Sequence, residues 1–161
     1  MPSFAEVEHH IWIAAPRHTV RQQFGDLDHH IRTNVHPKLS FEKLASQPDC
    51  MRFVQEVRLL GLKQRDVFER RWLPDGSIRD TSVEGFNKDG SLHFTFADAN
   101  QGGRPGTDVG ITIRLPLPPL LGWLAPVLKS QVRKEVTAAA LEDKFDLEQR
   151  GYQGAGAPQP A

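Results

Sequence analysis

The chain has 161 residues, of which 20 are Lys or Arg and 20 are Asp or Glu, so its formal net charge is zero with histidine neutral. That length fits one domain that buries about two-thirds of its unfolded surface, and balanced charge gives no reason to expect nucleic acid or an anionic membrane as partner. A single cysteine, Cys50, excludes an internal disulfide. The chain does not open on a charged stretch followed by an apolar segment, so a cytoplasmic location is expected. No apolar run reaches the roughly 18 residues of a membrane span; the nearest, Leu115 to Leu128, is broken by four prolines and a glycine.

In chain order, Val7, His9, Ile11 and Ile13 alternate with Glu6, Glu8, His10 and Trp12, which predicts a first strand with one apolar face, ending at Pro16. Pro16 suits a helix start, and Val20 and Phe24 lie four apart, so a short helix is expected to about Gly25, with a second helical turn around Asp28 to Arg32. After Pro37 the pattern becomes strands separated by turn residues: Leu39 to Ala45, Met51 to Leu60, a strand holding Val67, Phe68 and Trp72, and Ile78 to Gly85. Leu92, Phe94 and Phe96 alternate in the next strand. A polar, glycine-rich link from Asp98 to Gly106 is expected before Val109, Ile111, Ile113 and Leu115 alternate in the last. Short turns imply an antiparallel meander, each strand with one buried face.

Pro116, Pro118 and Pro119 then release one long helix, about Leu120 to Arg150, with Gly122 and Pro126 predicting an irregular start. Leu124, Leu128, Val132, Val136 and Ala140 fall on one face, which requires a broad sheet to cover it. One domain, 1–151, is expected. Beyond Gly151 the Gly, Pro, Gln and Ala residues carry little to bury, so 152–161 is expected to be a disordered tail.

Ile11-Trp12-Ile13-Ala14-Ala15-Pro16 with Val20, Phe24 and Asp26, then Val35-His36-Pro37, then Gly106-Thr107-Asp108-Val109 with Ile111 and Ile113, together resemble the START-related SRPBCC, or helix-grip, superfamily, and within it the polyketide cyclase/dehydrase-like group. The resemblance covers about Ala5 to Arg150. It implies an α+β helix-grip fold: a curved antiparallel sheet of about seven strands around the long C-terminal helix, with two short helices after the first strand. It also implies a deep apolar cavity between sheet and helix, of the kind used for lipids, hormones, quinones and polyketides. The cavity wall is expected from Phe53, Phe68, Trp72, Phe94, Phe96, Leu128, Val132 and Val136, and its entrance near Ile31, Val35, His36 and Pro37. Large aromatic residues could equally fill such an interior and leave no site.

Chemistry-bearing residues are sparse. His29, His30 and His36, with Asp26 and Asp28, are the densest group of metal-ligand types, but adjacent histidines point about 100° apart on a helix. A solvated loop is the favoured reading, with no metal or other cofactor required. His9 shares a face with Val7 and Ile11 and reads first as a satisfied core histidine. Of Arg58, Arg70, Asp80, Glu84 and Asp98, one or two are expected to face the cavity. Nucleophile motifs are absent. The favoured function is binding or carriage of a small hydrophobic ligand. The alternative is a polyketide cyclase- or dehydratase-like enzyme using His9 or His36 as acid and base, and a protein partner near Trp123 ranks last.

Overall fold

The structure, a computed structural model, describes residues 3–152. It has seven strands and three helices: β1 (Ser3–Ile13), α1 (Arg17–Gly25), α2 (Leu27–Thr33), β2 (Ser40–Gln47), β3 (Cys50–Leu59), β4 (Leu62–Trp72), β5 (Ile78–Gly85), β6 (Ser91–Gln101), β7 (Arg104–Leu117) and α3 (Ala125–Glu148), the last entered through a 3-10 turn at Gly122–Leu124. The strands form one antiparallel sheet in the order β1-β7-β6-β5-β4-β3-β2. A meander from β2 to β7 needs only hairpin turns. The long α1–α2 excursion then lets β1 pair with β7 at the opposite edge from β2.

The expected link from Asp98 to Gly106 is instead the tip of a long hairpin. β6 continues to Gln101 and β7 starts at Arg104, while Gly102 and Gly103 turn at φ of 56° and 76°. Two successive left-handed residues give a turn whose twist matches that of the paired strands, so the ribbon extends into solvent without an apolar face. Leu60 and Gly61, at φ of 54° and 75°, turn β3 into β4 in the same way.

Two irregularities bend the sheet. The register slips between Val67 and Phe68 on β4, leaving Val83 of β5 unpaired, and again between Lys43 and Ala45 on β2. Each extra residue locally increases twist and curls the sheet around α3. Gly85 closes the first bulge at φ of 123°, where a side chain would strike the Arg65 carbonyl.

α3 packs most closely on β1. Its buried residues are Val132, Val136, Ala140, Asp143, Asp146 and Leu147, so the apolar stripe read from the sequence ends in two carboxylates. Leu141 and Phe145, on another face, are exposed. The main core joins Val132, Val136 and Ala140 to Val7, Ile13, Val109 and Ile111 of the sheet and to Val20 and Phe24 of α1. A smaller cluster of Leu27, Met51, Phe53 and Phe68 closes the other end, and Trp72 and Leu92 touch both.

The family-like segments have structural work. Thr107, fully buried, donates its hydroxyl to the Ala15 carbonyl at 2.8 Å, fixing the turn from β1 into α1. Gly106 lies where a Cβ would come within 2.6 Å of the Trp12 ring. Trp12 in turn donates its indole N–H to the Ala99 carbonyl at 2.8 Å. Tyr152, counted by sequence with the tail, packs against the His29 ring and donates its hydroxyl to Asp26 Oδ2 at 2.8 Å. The rest of the expected tail, 153–161, lies outside the described residues. No helix among those described is long and apolar enough to cross a membrane.

Candidate functional site

Between α3 and the concave face of the sheet lies a cavity of about 500 Å³. The helix contributes Val132, Val136, Ala138, Ala139 and Ala140, and the sheet contributes Phe68, Leu92, Phe94, Ile111 and Ile113. Ala138, Ala139 and Ala140 leave the helix side of the space with short side chains. The exposed lining residues Lys38, Ala138 and Leu141 place the mouth between the segment leading into β2 and the middle of α3.

Most polar side chains on the sheet wall are bound to protein groups. Arg70 and Asp80 form a buried two-pronged pair, Nε to Oδ1 at 2.7 Å and Nη2 to Oδ2 at 2.8 Å, and Arg70 Nη1 donates to the Phe24 carbonyl at 3.2 Å. Its guanidinium also lies over the Phe53 ring. Asp66 accepts from Ser82 Oγ at 2.8 Å and from the Asn87 backbone N–H at 2.7 Å, while Asn87 Nδ2 reaches both Asp66 and Gln64. Buried groups satisfied in this way have little left to offer a ligand, so a guest meets a mainly apolar interior.

The opposite wall carries a histidine–carboxylate network. Asp26 caps α2 by accepting from the His29 backbone N–H at 3.0 Å. On α2, His29 Nε2 lies 2.7 Å from Asp146 Oδ2, and His30 Nε2 lies 3.0 Å from Asp143 Oδ1. His30 Nδ1 donates to the Asp26 carbonyl at 2.8 Å. From the loop beyond α2, His36 points Nδ1 at Glu142 Oε1, 3.2 Å away, and Nε2 at Asp143 Oδ1, 3.4 Å away. Gln23 Nε2 links Asp143 Oδ1 and Asp146 Oδ2 at 3.0 and 2.9 Å. Burial alone would push His36 down, but the Asp143 and Glu142 carboxylates outweigh it and raise the ring to about 9. For Asp143, burial acts upward and the neighbouring histidines more than reverse it, holding the carboxyl well below the usual carboxylate range. His30, His36, Glu142 and Asp143 all border the cavity.

No family model matches the chain, and no curated protein matches it. Solved structures do. A protein from Thermus thermophilus superposes with a TM-score of 0.70 over 91% of this chain and 99% of its own, at 20% identity. A START superfamily protein from Mycobacterium smegmatis gives 0.73 over 90% and 98%, at 14% identity. The Zhui aromatase/cyclase of a Streptomyces species gives 0.68 over 94% and 100%, at 15% identity. The chain has the helix-grip fold. At these identities the likeness concerns the fold, and the site has to be argued from this chain's own residues.

Within the helix-grip frame, Phe68, Phe94, Val132 and Val136 line the cavity, whereas Phe53, Trp72, Phe96 and Leu128 do not. Phe53 stacks beside Phe68, its cross-strand partner, with ring centroids 5.7 Å apart, and belongs to the smaller core cluster. Trp72 instead faces a shallow groove with His18, Arg21 and Asp26. Phe96 meets Phe24 edge-on, and Leu128 packs on the main core. Of the entrance residues, His36 lines the cavity; Ile31 and Pro37 are exposed beside it, Val35 is buried, and Lys38, Leu39 and Phe41 take their place. His9 is half-buried on β1 opposite Ile111 and is not part of the cavity wall. Arg70 and Asp80 face the cavity, whereas Arg58, Glu84 and Asp98 are exposed.

The solvated-loop reading of the histidines is overturned: His29, His30 and His36 are each 8% exposed. Linear proximity paired them with Asp26 and Asp28, but their carboxylate partners come from α3. The available signal was Asp143 and Asp146 falling on the buried stripe that Val132, Val136 and Ala140 begin. Leu120 and Trp123, 88% and 72% exposed, leave an apolar surface at the start of the long helix.

Proposed function

We propose that this chain binds a small hydrophobic molecule, such as a lipid, quinone or polyketide-like compound, between α3 and the sheet, and holds it for carriage. The supporting observation is the cavity of about 500 Å³ with mainly apolar walls, in which the buried Arg70–Asp80 and Asp66–Ser82 groups of the sheet are already paired. That volume lies within the roughly 300–1,000 Å³ of small-molecule sites, and an apolar guest gains about 0.8 kcal/mol for each CH₂ it buries. A cytoplasmic site of action and independence from nucleic acid belong to the same proposal. Native mass spectrometry of protein from its own host, with extraction and identification of any co-purifying compound, tests it. An unchanged apolar molecule is the expected result; protein that takes up neither host compounds nor added apolar ones overturns it.

A cyclase- or dehydratase-like reading has one observation in its favour, the buried His36 with its carboxylates on the cavity wall. Two of the solved structures sharing this fold, Zhui and the di-domain BexL, are described as aromatase/cyclase proteins. Conversion of an added ketide that is abolished by His36→Ala, with binding retained, would replace carriage with catalysis. A protein partner at the surface around Trp123 remains the third reading, and pull-down lost on Trp123→Ser would support it.

A further inference from the structure

We infer that His30, His36 and Asp143 form a binding site for a divalent first-row transition-metal ion, with its remaining coordination positions toward the cavity. The three side chains offer ligand atoms that all lie within 4.8 Å of one another, each residue is buried, and each borders the cavity. The inference is independent of what the cavity holds.

The two rings are oriented as ligands. Both direct Nε2 at the same oxygen, Asp143 Oδ1, at 3.0 Å from His30 and 3.4 Å from His36. Both hold Nδ1 against an acceptor: the Asp26 carbonyl at 2.8 Å for His30, and Glu142 Oε1 at 3.2 Å for His36. Histidines that ligate metals characteristically donate their other N–H to a carbonyl or carboxylate, which fixes the tautomer and aims the free lone pair at the ion. Here a carbonyl does this for one ring and a carboxylate for the other.

Spacing and charge agree. Donors about 2.0–2.1 Å from one ion lie about 2.9 Å apart at a right angle and about 3.4 Å apart at the tetrahedral angle, which brackets the 3.0 and 3.4 Å of the two histidine–carboxylate edges, with all three donors within 4.8 Å of one another. All four ring nitrogens face oxygen atoms, and the two ring centroids lie 5.2 Å apart in a buried place. One ion bound by both Nε2 atoms and Asp143 fits that arrangement. Each ring keeps a single N–H, on Nδ1, and the ion supplies the positive charge that the carboxylates require.

The surroundings fix the ligands. Gln23 holds Asp143 and Asp146 together, and His29 bonds Asp146 at 2.7 Å, so the third ligand is braced from a second layer. Two imidazoles and one carboxylate suit zinc, iron, cobalt or nickel better than magnesium or calcium, which prefer all-oxygen cages. Three protein ligands leave an open position, the arrangement of a reactive rather than a purely structural ion.

The test uses full-length protein stripped with chelator and titrated with Zn²⁺ against a chromophoric competitor, and with Co²⁺ as a spectroscopic probe. One equivalent of Zn²⁺ should bind; His36→Ala and Asp143→Asn should weaken it at least 100-fold, and Glu142→Ala, which frees His36 Nδ1, about 10–100-fold. His10→Ala should change nothing, although it dismantles the exposed Glu8–His10–Asp108 group on the outside of the sheet. Equal binding by wild type, His36→Ala and Asp143→Asn, or loss with His10→Ala alone, overturns the inference. If the cluster variants do not fold, wild-type protein decides. Co²⁺ should give nitrogen- and oxygen-ligated visible bands with shifted imidazole N–H resonances from two histidines, and a spectrum of hydrated Co²⁺ alone refutes the site.

Discussion

Replacing Arg70 by Met should be among the most damaging single changes on the cavity wall, although it swaps a charge for an apolar side chain in an apolar place. Asp80 is 3% exposed, and both its oxygens are occupied by Arg70, at 2.7 and 2.8 Å. Removing the guanidinium strands a buried carboxylate, which costs about 3–5 kcal/mol. For a domain of this size that corresponds to a fall in melting temperature of about 6–20 °C. Arg70→Met with Asp80→Leu removes both charges and should return stability to within about 2 kcal/mol of wild type, on either side. Urea unfolding of wild type, single and double variants measures the three values. Equal destabilisation of the single and double variants would show that the loss is one of packing, and a single-variant cost below about 1 kcal/mol would show that Asp80 is not trapped. Because the pair is closed on itself, the double variant should take up an apolar probe at least as well as wild type.

Other outcomes follow from the same geometry. Thr107→Val removes the hydroxyl bound to the Ala15 carbonyl and leaves that oxygen without its partner, which should cost about 1–3 kcal/mol by denaturant unfolding. Gly106→Ala should destabilise by about 1–3 kcal/mol, since its Cβ would lie 2.6 Å from the Trp12 ring and 2.5 Å from the Ile13 carbonyl; a neutral effect would mean that Trp12 moves freely. Tyr152 is the single tyrosine, so ultraviolet titration reads it directly. Burial and then the Asp26 hydrogen bond raise its phenol, and ionisation should begin above the ordinary tyrosine value of about 10. A raised folded-state value contributes stability that is complete below about pH 10 and is lost as the pH climbs beyond it. Tyr152→Phe should therefore flatten the decline in stability across that alkaline range, and an ordinary tyrosine titration in the native protein would refute its docking on α2.

The fold was legible because each strand alternates and each turn carries its own residues. β5 is bounded in the sequence by Asp75-Gly76 before it and Asn87 to Gly90 after it, and α3 by prolines before and Gly151 after. What escaped was set by distance along the chain. Asp143 meets His30 and His36 only because α3 folds back over α2, and no local pattern reports that crossing. Phe53, Trp72, Phe96 and Leu128 lie outside the cavity lining, because alternation and helical spacing give the face but not the neighbour. Phe53 and Phe68 share a face as cross-strand partners, yet only Phe68 lines the cavity. The link from Asp98 to Gly106 misled because polar composition was read as irregular backbone, when Gly102 and Gly103 form a tight turn between exposed strands.

The central claim is a ligand-sized space between α3 and the sheet, and titration with a fluorescent apolar probe tests it most directly when wild type is compared with Ala139→Phe. Ala139 is half-buried on the helix side of the cavity, so a phenyl ring there occupies the space with little to displace. Saturable uptake of one probe by wild type, lost or weakened at least tenfold in a variant with unchanged circular dichroism and thermal melting, is the expected result. Uptake that is absent in wild type, or equal in both proteins, would contradict the account.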